Sequence, residues 1–223
     1  MQTILTFFKQ HKQLFLLLYA FIYWPWFSWL EKHVTTDYHI LHVPFDDMIP
    51  FCEYFVIPYY LWFAFIAAGM LFIAFADAVT CYRMAVFLIT GMTAFLIIST
   101  IYPNGLNLRP SVFPRDNVFT DLVRTMYETD TPTNVLPSLH VYNSIGIHLA
   151  LCATPRLDSA KWIRWASGIL TTLIVLSTLF IKQHSVLDVI AALGLAAVMY
   201  PISYLLIPHL IKNRRKKRMR EAS

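Results

Sequence analysis

Arg109-Pro110, Pro137-Ser138-Leu139-His140, and Lys182-Gln183-His184 with Asp188 are clusters of reactive side chains in a chain that is otherwise strongly apolar. His184 and Asp188 stand four residues apart, which on a helix puts them on one face. A carboxylate so placed accepts the imidazole Nδ1–H and leaves Nε2 electron-rich, as in a base or nucleophile with its orienting partner. The alternative is a helix-capping pair. Ser138, following Pro137, is a natural N-cap with His140 in the first turn. Ser138 and the unpaired amides of a helix start could hold phosphate oxygens while His140 protonates a leaving group. A plain Pro-Ser helix start with an interfacial histidine is the competing reading. Arg109 is suited to two phosphate oxygens at once, and Lys182 adds a second cation. Singly, each also reads as a lipid-headgroup anchor. Together these residues are the parts for phosphoryl transfer through a phosphohistidine, with no metal and no organic cofactor required.

The elements that must position them follow from composition. Of 223 residues, 57% are hydrophobic and only 14% charged, against roughly a quarter charged in soluble domains. Disorder, a collagen-like fibre and a disulfide-stapled secreted domain are excluded. Cys52, Cys81 and Cys152 show no C-x-x-C spacing and read as small packing residues. Stretches 14–30, 54–76, 84–102, 138–153, 162–181 and 185–207 are apolar enough to cross a bilayer. The expected fold is therefore all-α: one integral membrane domain, a six-helix bundle with an extracytoplasmic active-site loop. The first stretch reads as a retained span, since no small-residue cleavage site follows it. The fourth is short, and Pro201 should kink the last.

Six spans place both termini on one side with Lys9, Lys12, Arg83, Arg156, Lys161, Arg164 and the basic run of the tail 212–223. On the other side, Lys32, Arg109, Arg115, Arg124 and Lys182 are outnumbered by acids. The Lys/Arg bias puts both termini in the cytoplasm and all three reactive clusters at the extracytoplasmic surface. The tail is expected to attract anionic lipid headgroups, not nucleic acid. The small size and short loops fit a bacterial inner membrane. The longest connection, 103–137, is rich in proline. Within it Phe119, Leu122, Val123, Met126 and Tyr127 fall at helical spacing after Asp116 or Asn117 as N-cap, which predicts an amphipathic helix over the bundle.

Arg109-Pro110, Pro137-Ser138-x-His140 and Ser177…His184-x-x-x-Asp188 resemble the motifs of the type-2 phosphatidic acid phosphatase superfamily, a likeness covering about residues 54–207. The resemblance implies His184 as nucleophile, Asp188 as its orienter, His140 as general acid, and Arg109 and Ser138 as phosphate ligands. It implies hydrolysis of a lipid phosphate monoester or pyrophosphate. The chain departs from the family pattern at Tyr102, where a Lys is usual, at Leu139, where a Gly is usual, and at Thr178, where an Arg is usual. Lys182, one turn after Thr178, would restore that charge to the same face. Pro-Ser-Leu-His and Lys-Gln-His-x-x-x-Asp are similar to the branch of inositol phosphorylceramide synthases and sphingomyelin-synthase-like proteins, which transfer a phospho-headgroup to a second lipid. That transfer is the alternative function.

A transporter fits less well, because the span interiors carry almost no charge and no repeat is visible. An inactive scaffold is the remaining reading. His33, His39 and His42 with Asp37, Asp46 and Asp47 match no usual metal spacing. Asp46-Asp47-Met48-Ile49-Pro50-Phe51 is similar to a loop of the headgroup-transferase branch, without an assignable role. Asn143 is one turn from His140, placed to steady it, and His148 reads as a hydrogen-bonded core residue.

Overall fold

The computed structural model describes residues 16, 18–206 and 209, and the basic tail 212–223 lies outside them. The described chain is mostly helical. Four helices are long and apolar enough to cross a membrane: Glu53–Ala76, Ala78–Ile101, Lys161–Phe180 and Val186–Leu206. In chain order the α-helices are α1 (Ala20–His33), α2 (Pro44–Met48), α3 (Val56–Ala76), α4 (Ala78–Ile101), α5 (Val118–Thr129), α6 (Leu139–Ala153), α7 (Lys161–Phe180) and α8 (Val186–Tyr200). Of the expected first span, 14–30, residues 14, 15 and 17 lie outside the described residues and α1 supplies 20–30.

The short α6 is the centre of the bundle. Its 15 residues rise only about 22 Å, less than the roughly 30 Å of a hydrocarbon core. It packs against α3, α4, α7 and α8, and Val141, Tyr142, Ile147 and Ala150 are fully buried. A helix wrapped by other helices need not match the bilayer. The outer helices turn apolar side chains outward, with Phe21 78% and Trp165 76% exposed, as lipid-facing surfaces do.

Close approach is set by small residues. A Cβ built on Gly91 of α4 would stand 2.0 Å from the Tyr142 ring. That ring cannot easily yield. It stacks on Phe87 at 4.5 Å, and its hydroxyl donates to the Phe87 carbonyl at 2.9 Å. Gly91→Ala is therefore expected to destabilise by about 1–3 kcal/mol, the usual range for an overpacked core. A lowered thermal unfolding midpoint in detergent would show it, and an unchanged midpoint would refute the packing argument.

The expected connection at 77–83 is corrected. The α3–α4 turn is Asp77 alone, and Arg83 lies within α4. The cause is local: Asp77 caps α4, accepting from the Val79 amide at 3.1 Å and from the Thr80 hydroxyl, so helix resumes at once. At Pro201 the α-helix gives way to a π-helical segment, Pro201–Leu206, because proline has no N–H for the ladder.

The long connection holds the expected amphipathic helix, α5. Asn117 caps it, accepting from the Phe119 and Thr120 amides at 3.0 and 3.1 Å. Val123 and Met126 pack with Val56, Tyr59 and Ile181, whereas Leu122 is exposed. Glu53, fully buried, receives Arg115 in a fork at 2.6 and 2.8 Å and so fastens the loop to the start of α3. Two short strands, β1 (His39–Ile40) and β2 (Asn104–Gly105), pair in parallel, a feature outside the all-α expectation. Buried Asn104, in β2, is also a hub of this end. Its side-chain oxygen accepts from the Val135 and Leu136 amides at 2.9 and 3.0 Å, which fixes the approach to Pro137 and Ser138.

Candidate active site

Ser185 opens α8 as its N-cap, accepting from the Leu187 amide at 3.1 Å. Asp188 therefore falls in the first helical turn, with His184 just ahead of it. Their four-residue spacing brings His184 Nδ1 to 2.6 Å from Asp188 Oδ2. Asp188 is fully buried and His184 nearly so. Ser138 opens α6 in the same way, accepting from the Val141 amide at 3.4 Å. Its own amide donates to the Asp188 carbonyl at 3.2 Å, which pins the two helix starts together.

That contact puts His140, in the first turn of α6, against His184: Nδ1 of His140 lies 3.2 Å from Nε2 of His184. With the His184 Nδ1–H given to Asp188, Nε2 is the acceptor and His140 Nδ1 the donor, an assignment made from the network. The result is a line, His140–His184–Asp188, with a lone pair on Nε2 and a proton beside it. Tyr59 and Trp62 of α3 flank the His140 ring at 4.6 and 4.3 Å between centroids.

Arg109 comes to the same end of the bundle and is half-buried. Nε and Nη2 donate to Gln183 Oε1 at 3.0 and 2.6 Å. Nη1 donates to the Tyr127 carbonyl at 2.9 Å and Nη2 also to that of Asp130. The guanidinium sits 4.2 Å over the Tyr127 ring. Burial draws the arginine pKa down, and Tyr127 and Asp130 oppose it, so it stays a cation. Its link to the histidine line is Gln183, the neighbour of His184.

Lys182 is placed differently. Its Nζ donates to the Asp46 carbonyl at 2.6 Å and to that of Ile49, committing two of its three donors to the connection between α1 and α3. Burial draws its pKa below the ordinary lysine value, and Asp46 and Asp47 oppose the shift. Thr178 is buried, and its carbonyl accepts from the Gln183 and His184 amides at 2.9 and 3.0 Å. Tyr102 stacks on His39 at 4.3 Å.

Gln183, Tyr59, Trp62 and Asp130 surround the histidines without having been singled out in the sequence. Tyr59 donates to the Asp130 carboxylate, and Gln183 reaches the Tyr59 hydroxyl at 3.5 Å. Only Gln183 carried a signal, its place beside His184. Asn143 does not steady His140 by a hydrogen bond: its Oδ1 is buried without a partner. His148 bonds Ser167 at 2.8 Å, as a core histidine should. Among the described residues no group of three His, Cys, Asp or Glu stands close enough to hold a metal. Of the first-loop histidines, His33 bonds the Trp29 carbonyl at 2.8 Å and His42 pairs with Asp47 at 3.0 Å.

No protein-family model, curated protein or solved structure matches the chain.

Proposed function

We propose that the chain is an integral membrane lipid phosphatase that hydrolyses a lipid phosphate monoester or pyrophosphate through a phosphohistidine. The carrying observation is the line Asp188–His184–His140, at 2.6 and 3.2 Å. In the first step the His184 Nε2 lone pair attacks phosphorus, the bond to the leaving oxygen breaks, and an imidazolium at His140 delivers a proton to that oxygen. In the second, neutral His140 takes the proton of the acceptor hydroxyl. The acceptor oxygen bonds phosphorus, and the P–N bond breaks to return His184. Asp188 holds the His184 tautomer in both steps. The 3.2 Å contact between the histidines must open to admit the phosphoryl group, as catalytic contacts commonly rearrange on substrate binding.

Phosphate oxygens are assigned to Arg109, Ser138 and the amides at the start of α6, while Lys182 stays committed to the carbonyls of Asp46 and Ile49. In the six-span plan the first outer loop, α5 and these helix starts lie on the extracytoplasmic face. Both termini are cytoplasmic, and the basic tail lies against anionic lipid. Substrate enters from the outer leaflet.

The alternative, headgroup transfer from a phosphodiester to a second lipid, is favoured by the shortage of free cations at the site. Lys182 is tied to backbone carbonyls, Thr178 stands where an arginine is usual, and Tyr102 is stacked on His39. Arg109 is then the principal cation, which suits a singly charged diester better than a dianionic monoester. The two readings separate in mixed micelles containing phosphorus-labelled lipid phosphates and phospholipids, with free phosphate and labelled lipids followed together. Phosphate release lost in His184→Ala and His140→Ala is the expected result. Label passing to a second lipid only when an acceptor is added establishes transfer instead.

A further inference from the structure

Asp46 and Asp47 are adjacent carboxylates with opposite fates. Asp47 is exposed and pairs with His42. Asp46 is 2% exposed, and its carboxylate is filled by three donors. Oδ2 accepts from the Val43 amide at 2.9 Å and from the Ser185 hydroxyl at 2.7 Å. Oδ1 accepts from the Val186 amide at 2.8 Å. Helix α8 already has its own N-cap in Ser185, so these bonds are not needed merely to start it.

The reciprocal contact comes from Lys182, whose ammonium donates to the carbonyls of Asp46 and Ile49. Lys182 has φ 57, a left-handed backbone that L side chains adopt only when their surroundings hold it. Residues 182–186 are thus gripped at both ends by one segment of the first outer loop, and His184 lies in the middle of the grip. The Asp46 carboxylate also fills the positive end of α8, which leaves the start of α6 as the open helix terminus for an anion.

We propose that Asp46 is the positioning residue of the phosphoryl-transfer centre, clamping the 182–186 turn so that His184 keeps its line to Asp188 and His140. This gives the Asp46–Phe51 loop its role, and it makes Lys182 a clamp from outside the site. It rests on the phosphohistidine reading. A displacement of about 1 Å in a reacting group can lower a rate by about a hundredfold, so the expected signature is a fall in kcat with KM little changed.

The test compares wild type, Asp46→Asn and Lys182→Met in micelles, with Asp47→Asn as the control expected to leave activity unchanged. Two readouts are taken: the kcat and KM of phosphate release or label transfer, and the 15N resonance of His184 Nδ1, identified by its loss in His184→Ala. Expected is a kcat reduced about 10- to 100-fold in Asp46→Asn, KM within about threefold, and a shifted His184 resonance. Should Asp46→Asn not fold, Lys182→Met reads the same two quantities. Unchanged kcat and resonance in the folded variant would overturn the proposal, as would a rise in KM alone. If wild type turns nothing over, the phosphohistidine reading fails. The clamp is then decided by the His184 resonance, which moves if Asp46 holds the turn and stays if it does not.

Discussion

Replacing His184 by alanine is expected to remove turnover by at least about 10⁴-fold, or roughly 5.5 kcal/mol of transition-state stabilisation. The size follows from its place in the line. His184 is held by the buried Asp188 carboxylate at 2.6 Å with its Nε2 facing His140, the position of the attacking nitrogen in the proposed reaction. His184→Gln keeps a hydrogen bond to Asp188 but has no nucleophilic nitrogen, and it should be equally inactive. The loss should appear in kcat, because the proposed phosphate ligands Arg109, Ser138 and the start of α6 are left in place. Residual activity within about tenfold of wild type, measured as phosphate or labelled lipid, would mean that phosphorus is attacked by some other group.

The second large effect is expected at His140, and it should depend on the leaving group. A general acid contributes about 10²- to 10⁴-fold, so His140→Ala should lose that much with a lipid alkoxide. With p-nitrophenyl phosphate the leaving anion is stable without a proton. The first-turnover burst of p-nitrophenolate should then survive to within about tenfold, while steady turnover falls by ~10²-fold or more. The asymmetry arises because the same imidazole must later deprotonate the acceptor. The ring also fills the slot between Tyr59 and Trp62, so His140→Phe is a better packing control than alanine. Loss of the burst with the activated ester would show His140 to act on binding or structure, not as an acid.

How much was legible in the sequence varied with the range of the interactions. The helices α3, α4, α7 and α8 were readable because twenty apolar residues in a row leave few alternatives. Helix α5 was readable because its buried positions recur at helical spacing after a capping asparagine. The His184–Asp188 pair was readable for the same local reason, being one helical turn long. The approach of His140 to it needed only the expectation that both helix starts share one face. Other features depend on partners far away in the chain. A lysine two residues from a histidine looks like a phosphate ligand, yet Lys182 turns toward carbonyls at Asp46 and Ile49. Tyr59 and Trp62 look like ordinary residues of an apolar helix until α6 brings His140 against them. The stretches 54–76 and 84–102 left 77–83 as a connection, but the Asp77 cap starts α4 at once and Arg83 lies inside it.

The proposed covalent phosphate on one nitrogen of His184 can be trapped and located. His140→Ala given p-nitrophenyl phosphate should accumulate the intermediate, since it can form but is released slowly. Quenching in alkali, where phosphohistidine survives, followed by proteolysis and mass spectrometry, should locate one phosphate on His184. The same treatment of His184→Ala should yield none. Phosphate on any other residue, or a surviving burst with no phosphate on His184, would contradict the account.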